Sequence, residues 1–167
     1  FTTGTRKIKN NELLIETILQ NDKLKESTFL IIAGDADTEY AKAIINKYKH
    51  CENIKYTGQI NVDLVNNIYS QMDLYIQISS FETFGMAIVE ALLHRKNVLI
   101  SKNLPIAQYF TKDQVCLYNP KESLADAIIN CMEQSSPVNE GGYEKARELF
   151  NWDNISEKYY NTFTNVL

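Results

Sequence analysis

Two glutamates frame the stretch of this chain whose residue types are best suited to chemistry. Glu82 and Glu90 lie eight positions apart, between Ile78 and Leu92. On a continuous helix this spacing is about 12 Å, which is too far for a carboxylate pair that acts on one bond. The two carboxylates could instead hold two parts of an elongated ligand, one accepting from a ribose diol and the other from a sugar hydroxyl. Taken alone, two such glutamates are more often solvent-exposed charges on a helix. The surrounding residues therefore decide whether the pair is interpreted as a binding site.

The start of the helix that carries Glu90 adds an anion site. A polar loop follows Ile78, and helix-period apolar residues extend from Phe84 to Leu93. Ser80 or Thr83 is expected to cap this helix through its hydroxyl. The free N–H groups and the positive dipole end of a helix N-terminus bind anions, and a glycine there lets a ligand approach the backbone. We therefore predict that a diphosphate binds at this turn. The residues predicted to bind it are Thr83, Phe84, Gly85 and Met86.

The elements that position this stretch alternate between strands and helices. Strand-like apolar runs are found at Phe1–Thr3, Thr28–Gly34, Asn53–Gly58, Asp73–Ile78, Asn97–Ile100 and Val115–Tyr118. Helix-period segments are found at Asn10–Gln20, Glu39–Lys49, Val62–Ser70, Phe84–Leu93, Glu122–Met132, Tyr143–Phe150 and Asn154–Leu167. Such alternation predicts an α/β fold, a Rossmann-like doubly wound parallel sheet, whose ligands bind beyond the carboxyl ends of the strands. In the first helix, the spacing places Leu13, Leu14, Thr17 and Ile18 on the buried face.

Composition excludes several functions. At 167 residues the chain is the size of one domain, and its net charge of −4 argues against a nucleic-acid binder. No apolar run approaches the roughly 20 residues of a transmembrane helix. The cysteines Cys51, Cys116 and Cys131 are odd in number and lack CxxC spacing, which predicts neither a disulfide framework nor a zinc site and favours a reducing cytoplasm. The chain begins at Phe1 rather than at a methionine, so we expect an N-terminal partner domain.

The stretch around the two glutamates resembles the E-x7-E motif of retaining GT-B glycosyltransferases, especially glycosyltransferase family four. The usual form is S-x-x-E-x-F-G-x-x-x-x-E-A. Here it is matched by Ser79, Glu82, Phe84, Gly85, Glu90 and Ala91. The resemblance implies that Glu90 binds the ribose hydroxyls of the donor nucleotide. It also implies that Glu82 and the backbone of Thr83–Met86 face the transferred sugar and its diphosphate.

The resemblance covers nearly the whole chain. Ile31–Gly34 and Ile54–Gly58 resemble the second and third strands of the family's C-terminal domain. The resemblance implies that Gln59, after the third strand, lies near the base. Gly34 ends the second strand, where it could line the ligand or simply terminate the strand. The family commonly has glycine and proline after the motif helix, whereas this chain has Arg95 and Lys96, so the resemblance does not fix the geometry of this turn.

The N-terminal loop resembles the family's glycine–arginine…lysine–asparagine element. It reads Gly4-Thr-Arg-Lys-Ile-Lys-Asn10. In the family the arginine and lysine neutralise the leaving diphosphate, whose negative charge grows as the sugar–phosphate bond breaks. We assign this role to Arg6 and Lys9 and keep Lys7 as an alternative. Glu82 is the third predicted catalytic residue, through its contact with the transferred sugar.

The resemblance implies that residues 1–167 form one nucleotide-sugar-binding domain, the C-terminal half of a GT-B fold, with the N-terminal acceptor domain outside this chain. The expected enzyme transfers a sugar from a UDP- or GDP-sugar to a carbohydrate or lipid-linked acceptor, with retention and without a metal or other cofactor. We expect a role in bacterial surface polysaccharide biosynthesis. The expected location is the cytoplasm, with peripheral association at the inner face of the membrane for the longer protein, and we expect this domain alone to be inactive.

Three alternatives share these residues. A glycogen-synthase-like or sucrose-synthase-like enzyme would use the same chemistry on another acceptor. A non-catalytic module would bind the sugar nucleotide only. A GT-B epimerase would isomerise or hydrolyse a UDP-sugar, and product analysis with and without an acceptor separates it from a transferase.

Overall fold

Strands and helices alternate along residues 1–164, the part of the chain that this computed structural model describes. The strands are β1 (Thr2–Thr3), β2 (Leu30–Ala33), β3 (Ile54–Gly58), β4 (Leu74–Gln77), β5 (Asn97–Ser101) and β6 (Cys116–Tyr118). The α-helices are α1 (Asn11–Gln20), α2 (Asp22–Ser27), α3 (Glu39–Tyr48), α4 (Val62–Gln71), α5 (Met86–Leu93), α6 (Leu124–Gln134), α7 (Glu140–Phe150) and α8 (Trp152–Thr164). Two short 3₁₀ helices span Lys7–Lys9 and Pro105–Tyr109. The predicted last helix extended to Leu167, and its final three residues lie outside the described chain.

The strands form two parallel three-stranded sheets that meet at β1 and β4. The orders are β1-β2-β3 and β4-β5-β6. The N–H of Ile76 donates to the carbonyl of Phe1 at 2.8 Å, which joins β4 to the start of β1. Read across this junction, the strand order is 3-2-1-4-5-6, and it reverses between β1 and β4. The predicted Rossmann-like α/β fold is confirmed.

Helices cover both faces of the strands, as expected of buried parallel sheets. Along β5, Leu99 packs into one apolar cluster with α1, α3 and α6, whereas Val98 and Ile100 pack into a second cluster with α4, α5 and α7. All three side chains are at most 1% exposed. The alternation therefore places the core on both sides of the same strand.

Two details of the helices differ from the sequence-based predictions. In α1 the buried apolar residues are Leu14, Ile15 and Ile18, whereas Leu13 is 46% exposed and Thr17 is half-buried. Both apolar sets satisfy helical spacing, and packing against the sheet selects the second. The short helix α2 and both 3₁₀ helices were not predicted, because none of them is long enough to show a hydrophobic period.

The turn after α5 keeps the usual hydrogen bonds of a glycine-ended helix although it has arginine. The N–H of Arg95 donates to Leu92 O at 2.8 Å, and that of Lys96 donates to Ala91 O at 3.0 Å. Arg95 has a left-handed φ of 56°, so these bonds form a Schellman motif with a non-glycine residue in the left-handed position. The guanidinium carbon of Arg95 lies 3.7 Å from the centre of the Tyr143 ring. An arginine in place of glycine therefore leaves the hydrogen bonds of this turn in place.

The cysteine prediction was also wrong. Cys116 on β6 and Cys131 on α6 are 15 positions apart and form a disulfide, with their Cα atoms 5.9 Å apart, whereas Cys51 is a free thiol. The helix that follows an edge strand packs back against it, so the fold brings together two cysteines that no sequence motif links. The cysteines therefore give no support to a reducing compartment. Within residues 1–164, no helix combines the length and the apolar character that crossing a bilayer requires.

Candidate functional site

The candidate site lies where the strand order reverses, between the loops that follow β1 and β4. Several hydrogen bonds join these two loops. The side-chain amide of Asn10 donates to Ile78 O at 2.9 Å, and the N–H of Ser80 donates to Ile8 O at 2.8 Å. In an open α/β sheet, the crevice at such a reversal is the usual place for a ligand. The loops that carry the predicted catalytic residues are therefore held against each other at that crevice.

Lys9 and Glu82 form an ion pair across these loops. The ammonium of Lys9 donates to Oε1 of Glu82, and the hydroxyl of Ser79 donates to the same oxygen at 3.3 Å. The Lys9 and Glu82 side chains are only 16% and 14% exposed. Glu82 precedes the helix α5, so the helical estimate of its separation from Glu90 does not apply. Oε1 of Glu82 is therefore held by two donors from two different elements.

The other two candidate cations lie in solvent. Arg6 and Lys7 are both exposed, and neither forms an ion pair within residues 1–164. Both belong to the segment around the first 3₁₀ helix. Of the three cations considered for the diphosphate, the structure therefore brings only Lys9 into contact with another predicted residue.

The N-terminus of α5 has no side-chain cap. Gly85 is the N-cap residue, with a φ of 96°, and no hydroxyl accepts from the first turn. The predicted cap Ser80 donates its hydroxyl to Ile8 O instead, at 3.3 Å. Within residues 1–164, the N–H groups of Gly85, Met86 and Ala87 have no acceptor. These three donors, together with the helix dipole, provide the features of an anion site.

The side chains of the predicted anion-binding loop, residues 83–86, are not arranged to bind an anion. The ring of Phe84 packs edge-on against Phe150, with ring centres 5.2 Å apart, and the Met86 side chain is 59% exposed. The Thr83 side chain forms no hydrogen bond with residues 1–164. The expectation that the backbone of this loop binds a diphosphate stays a prediction.

A second group of predicted residues lines one pocket beside this helix end. The pocket has a volume of about 220 Å³. Its lining includes Gly34, Gln59 and Glu90, and Ala87 of the first turn of α5. The pocket thus adjoins the free N–H groups and contains three of the residues predicted to bind the donor.

Close backbone packing explains the glycine at position 34. Its φ is 143°, and a Cβ atom built on it would lie 3.0 Å from the Cα of Gly4. Its N–H donates to Gly58 O at 3.0 Å. Residue 34 therefore has no room for a side chain where β1 and β2 end beside the pocket.

The carboxylate of Glu90 is oriented by a tyrosine that the sequence analysis missed. The Tyr69 hydroxyl donates to Oε2 of Glu90 at 2.8 Å. Burial, the neighbouring Tyr75 and the Glu90 carboxylate all raise the pKa of the Tyr69 phenol well above its ordinary value. Tyr69 is on α4 and Glu90 on α5, 21 positions apart, so no local pattern links them.

A chain of hydrogen bonds between side chains joins β1 to β4. The Thr3 hydroxyl donates to the Tyr75 hydroxyl at 2.7 Å, which in turn donates to Oε1 of Gln77 at 2.7 Å. Burial is the main cause of a raised pKa of Tyr75, and Glu82 and Glu90 each raise it further. Both carboxylates therefore disfavour ionisation of the same buried phenol.

Metal ligands do not gather at this site. Across the described residues 1–164, no three His, Cys, Asp or Glu side chains are placed to hold a metal ion. The expectation of a reaction without a metal stays a prediction.

Comparison with known proteins gives matches along most of the chain. The sequence profile of the family described as Glycosyl transferases group 1 matches residues 4–148. A lipopolysaccharide 1,2-N-acetylglucosaminetransferase from Salmonella typhimurium is 29% identical over 164 residues, which is 88% of this chain and 42% of that protein. The chain therefore spans less than half the length of this curated relative.

Solved structures show the same fold. The structure of Alr3699/HepE from Anabaena in complex with UDP and glucose has a TM-score of 0.80 and 23% identity, over 98% of this chain and 48% of that one. The C-terminal domain of a glycosyl transferase group 1 family protein from Francisella tularensis has a TM-score of 0.72 and 21% identity, over 91% of this chain and 84% of that one. The fold is thus that of the C-terminal domain of a GT-B glycosyltransferase, and the chain belongs to the glycosyl transferases group 1 family.

Proposed function

We propose that the chain binds the nucleoside diphosphate sugar from which a glycosyltransferase takes the transferred sugar. The observation that carries this proposal is the position of the pocket. The Glu90 carboxylate lies in it, and the pocket adjoins three unused N–H donors at the start of α5. A nucleoside diphosphate has a ribose diol for the carboxylate and a diphosphate for the helix end, in the same order.

The proposed roles follow this order. Gly34 and Gln59 contact the nucleoside, and Glu90 accepts from the ribose hydroxyls. The N–H groups of Thr83–Met86 hold the diphosphate, and Glu82 faces the transferred sugar.

The proposed chemistry is electrostatic. As the sugar–phosphate bond breaks, negative charge develops on the leaving diphosphate, and fixed positive groups lower the barrier. Arg6, Lys9 and the N-terminus of α5 supply this charge in our proposal. The ion pair with Glu82 already holds the Lys9 ammonium at the crevice. The Arg6 side chain is exposed, so it would have to move toward the diphosphate. We propose retention of configuration and no metal, which the resemblance to family four implies.

UDP is the donor nucleotide that we propose first, with GDP as the second choice. Several structures of similar fold were solved with UDP, and one was solved with UDP-glucose. We propose a carbohydrate or lipid-linked acceptor and a role in bacterial surface polysaccharide biosynthesis, and the similar Salmonella enzyme acts on lipopolysaccharide by its name. The acceptor would contact an N-terminal domain, and the enzyme would work in the cytoplasm, at the inner membrane face when its acceptor is a lipid. We expect this domain alone to bind the donor without transferring its sugar.

Two other functions would use the same pocket. A sugar-nucleotide-binding module would bind the donor without turnover in any context, and an epimerase would change a UDP-sugar without an acceptor. The ion pair of Lys9 and Glu82 beside the helix end favours transfer over simple binding, because nucleoside recognition alone does not require it. Product analysis of the complete enzyme with and without an acceptor distinguishes the three functions.

Calorimetric titration tests the donor site. The chain is titrated with UDP, GDP and ADP, and the titration is repeated with Glu90→Gln. We expect one diphosphate to bind in a saturable manner and the substitution to weaken it by about 1.5–3 kcal/mol, which is typical of a hydrogen bond to a charged group.

Glu16→Gln is the matched control for this titration. Glu16 also accepts from a tyrosine hydroxyl, that of Tyr48 at 2.9 Å, but lies outside the pocket. The Glu16→Gln variant should bind the diphosphate as tightly as the unsubstituted chain does. If none of the three diphosphates binds, the proposed function is wrong for this chain. Equal weakening by both substitutions would contradict the role of Glu90.

A further inference from the structure

We propose that Tyr69 is a positioning residue that holds Glu90 ready for the ribose of the donor. Its hydroxyl occupies Oε2 of Glu90 at 2.8 Å. Oε1 of the same carboxylate accepts from no group in residues 1–164. Both side chains line the pocket. The inference rests on the proposed function, because it assumes that the second oxygen of Glu90 binds the ribose of the donor.

Packing fixes the direction of the Tyr69 hydroxyl. The side chain is 2% exposed, and its ring stacks on the His94 ring with centres 5.0 Å apart and planes 21° apart. His94 is itself held, because its Nδ1 donates to Glu90 O at 2.8 Å and its Nε2 lies 3.2 Å from Oδ1 of Asn66. A ring enclosed in this way can present its hydroxyl in one direction only. That direction leads to Glu90.

The hydrogen bond has a fixed polarity. Burial and the nearby carboxylate raise the pKa of the Tyr69 phenol far above neutrality, so the hydroxyl stays protonated and donates. A carboxylate has two oxygens and about four acceptor positions. A donor that holds one oxygen restricts rotation of the whole group and leaves the other oxygen for a diol. Preorganisation of this kind strengthens binding because the ligand does not have to order the group itself.

Satisfying a buried hydroxyl does not by itself account for this arrangement. Ala87 O is also within reach of the Tyr69 hydroxyl, at 3.4 Å, yet the shorter bond of 2.8 Å goes to Glu90. Elsewhere in the chain, the Tyr48 hydroxyl donates to Glu16 at 2.9 Å outside the donor pocket. The Tyr48–Glu16 bond therefore provides a structural counterpart of the Tyr69–Glu90 bond.

The test compares Tyr69→Phe with Tyr48→Phe, which each remove one tyrosine–glutamate hydrogen bond and keep the ring. The probe is UDP, titrated by calorimetry, and the second probe is 2′,3′-dideoxy-UDP, which lacks the ribose diol. We expect Tyr69→Phe to weaken UDP binding about tenfold, in the range of one charge-assisted hydrogen bond. Binding of the dideoxy analogue should be unchanged by this substitution. Tyr48→Phe should leave both affinities unchanged.

Two results would overturn the inference. One is that Tyr69→Phe weakens UDP and the dideoxy analogue by the same factor, which would indicate a general structural role. The other is unchanged UDP affinity. In a Glu90→Ala background, Tyr69→Phe should have no further effect on UDP, and an additional tenfold loss there would also contradict the role through Glu90. Failure of the proposed function can be distinguished from failure of this inference, because the unsubstituted chain would then bind no nucleoside diphosphate.

Discussion

The ammonium of Lys9 donates to the carboxylate of Glu82 although 73 positions separate the two residues. The sequence-based analysis assigned them separate tasks, one on the diphosphate and one on the sugar. The structure shows that they share one ion pair, and the side chains are 16% and 14% exposed. The pair joins the loops after β1 and β4, which are the two loops that border the crevice. It therefore has a structural contribution that can be measured without any ligand.

A double-mutant cycle measures that contribution. We expect Lys9→Met and Glu82→Gln each to destabilise the chain by about 1–3 kcal/mol, because each leaves a largely buried partner without its counter-charge. The double variant should lose less free energy of unfolding than the two single variants lose together, and the difference should be about 1 kcal/mol or more. Urea denaturation gives the free energies of unfolding.

The exposed pair Lys42–Glu39 is the control for this cycle. Its atoms are 2.9 Å apart, but its side chains are 59% and 92% exposed. The same cycle there should give a coupling below about 0.5 kcal/mol. Equal coupling in the two pairs would show that burial does not strengthen the Lys9–Glu82 pair.

Charge removal at the N-terminal loop should affect turnover more than donor binding. In the complete enzyme we expect Arg6→Ala and Lys9→Ala to lower kcat more than they raise the Kd for the donor, because the charge they neutralise grows in the transition state. Lys7→Ala, which removes a neighbouring exposed charge, should have little effect. Kinetic constants and equilibrium titrations are measured on the same variants. Unchanged turnover in the Arg6→Ala, Lys9→Ala double variant would refute the assignment, and a large loss with Lys7→Ala would transfer the role to that residue.

Much of the fold could be predicted from the sequence because strands buried on both faces are continuous apolar runs. The predicted run at Asn97–Ile100 corresponds to β5, and the one at Asp73–Ile78 corresponds to β4. The motif stretch was predicted as strand, loop and helix, and the structure has these elements in that order. Only the start of the helix differs, because Gly85 rather than a hydroxyl residue occupies the N-cap position.

The contacts between distant residues could not be predicted in this way. Tyr69 and Glu90 belong to different helices, and their contact depends on how α4 and α5 pack against the same strands. The same is true of Cys116 and Cys131, which meet only because α6 packs against β6. A hydrophobic period indicates which face of a helix is buried. It does not indicate which residue of the next element that face meets.

Gly34 should tolerate a methyl group less well than Gly58. A Cβ atom at Gly34 would lie 3.0 Å from the backbone of Gly4, whereas one at Gly58 would have no atom within 4 Å. Both residues have a positive φ, 143° at Gly34 and 71° at Gly58, so backbone strain costs each alanine about 1–3 kcal/mol. We expect Gly34→Ala to cost about 1–2 kcal/mol more than Gly58→Ala. Urea denaturation compares the two variants, and equal losses would show that β1 and β2 can move apart at this point.

Stability should fall in alkaline solution because of two buried phenols. Burial raises the pKa of Tyr69 and of Tyr75 above the unfolded value of about 10. The folded chain therefore keeps protons that the unfolded chain releases, so this stabilisation is complete below about pH 10 and is lost as the pH rises above it. Each phenol should contribute a slope of about 1.4 kcal/mol per pH unit there. Urea denaturation between pH 8 and pH 11 gives the free energy of unfolding at each pH. This free energy should fall less steeply with pH in Tyr69→Phe than in the unsubstituted chain. Parallel curves would mean that Tyr69 ionises in the folded chain.

The disulfide gives the last prediction. Cys116 and Cys131 are bonded and Cys51 is free, so the denatured protein should show one reactive thiol without a reductant and three after reduction. In Cys51→Ser these numbers should fall to none and two. Closing a loop of this length stabilises a protein by about 3 kcal/mol in the chain-entropy model, and reduction should therefore lower the free energy of unfolding by up to that amount. Thiol titration combined with urea denaturation checks both expectations. Three thiols in air-oxidised protein would show that the two cysteines remain unbonded, and a reducing compartment would then again be consistent with all three residues.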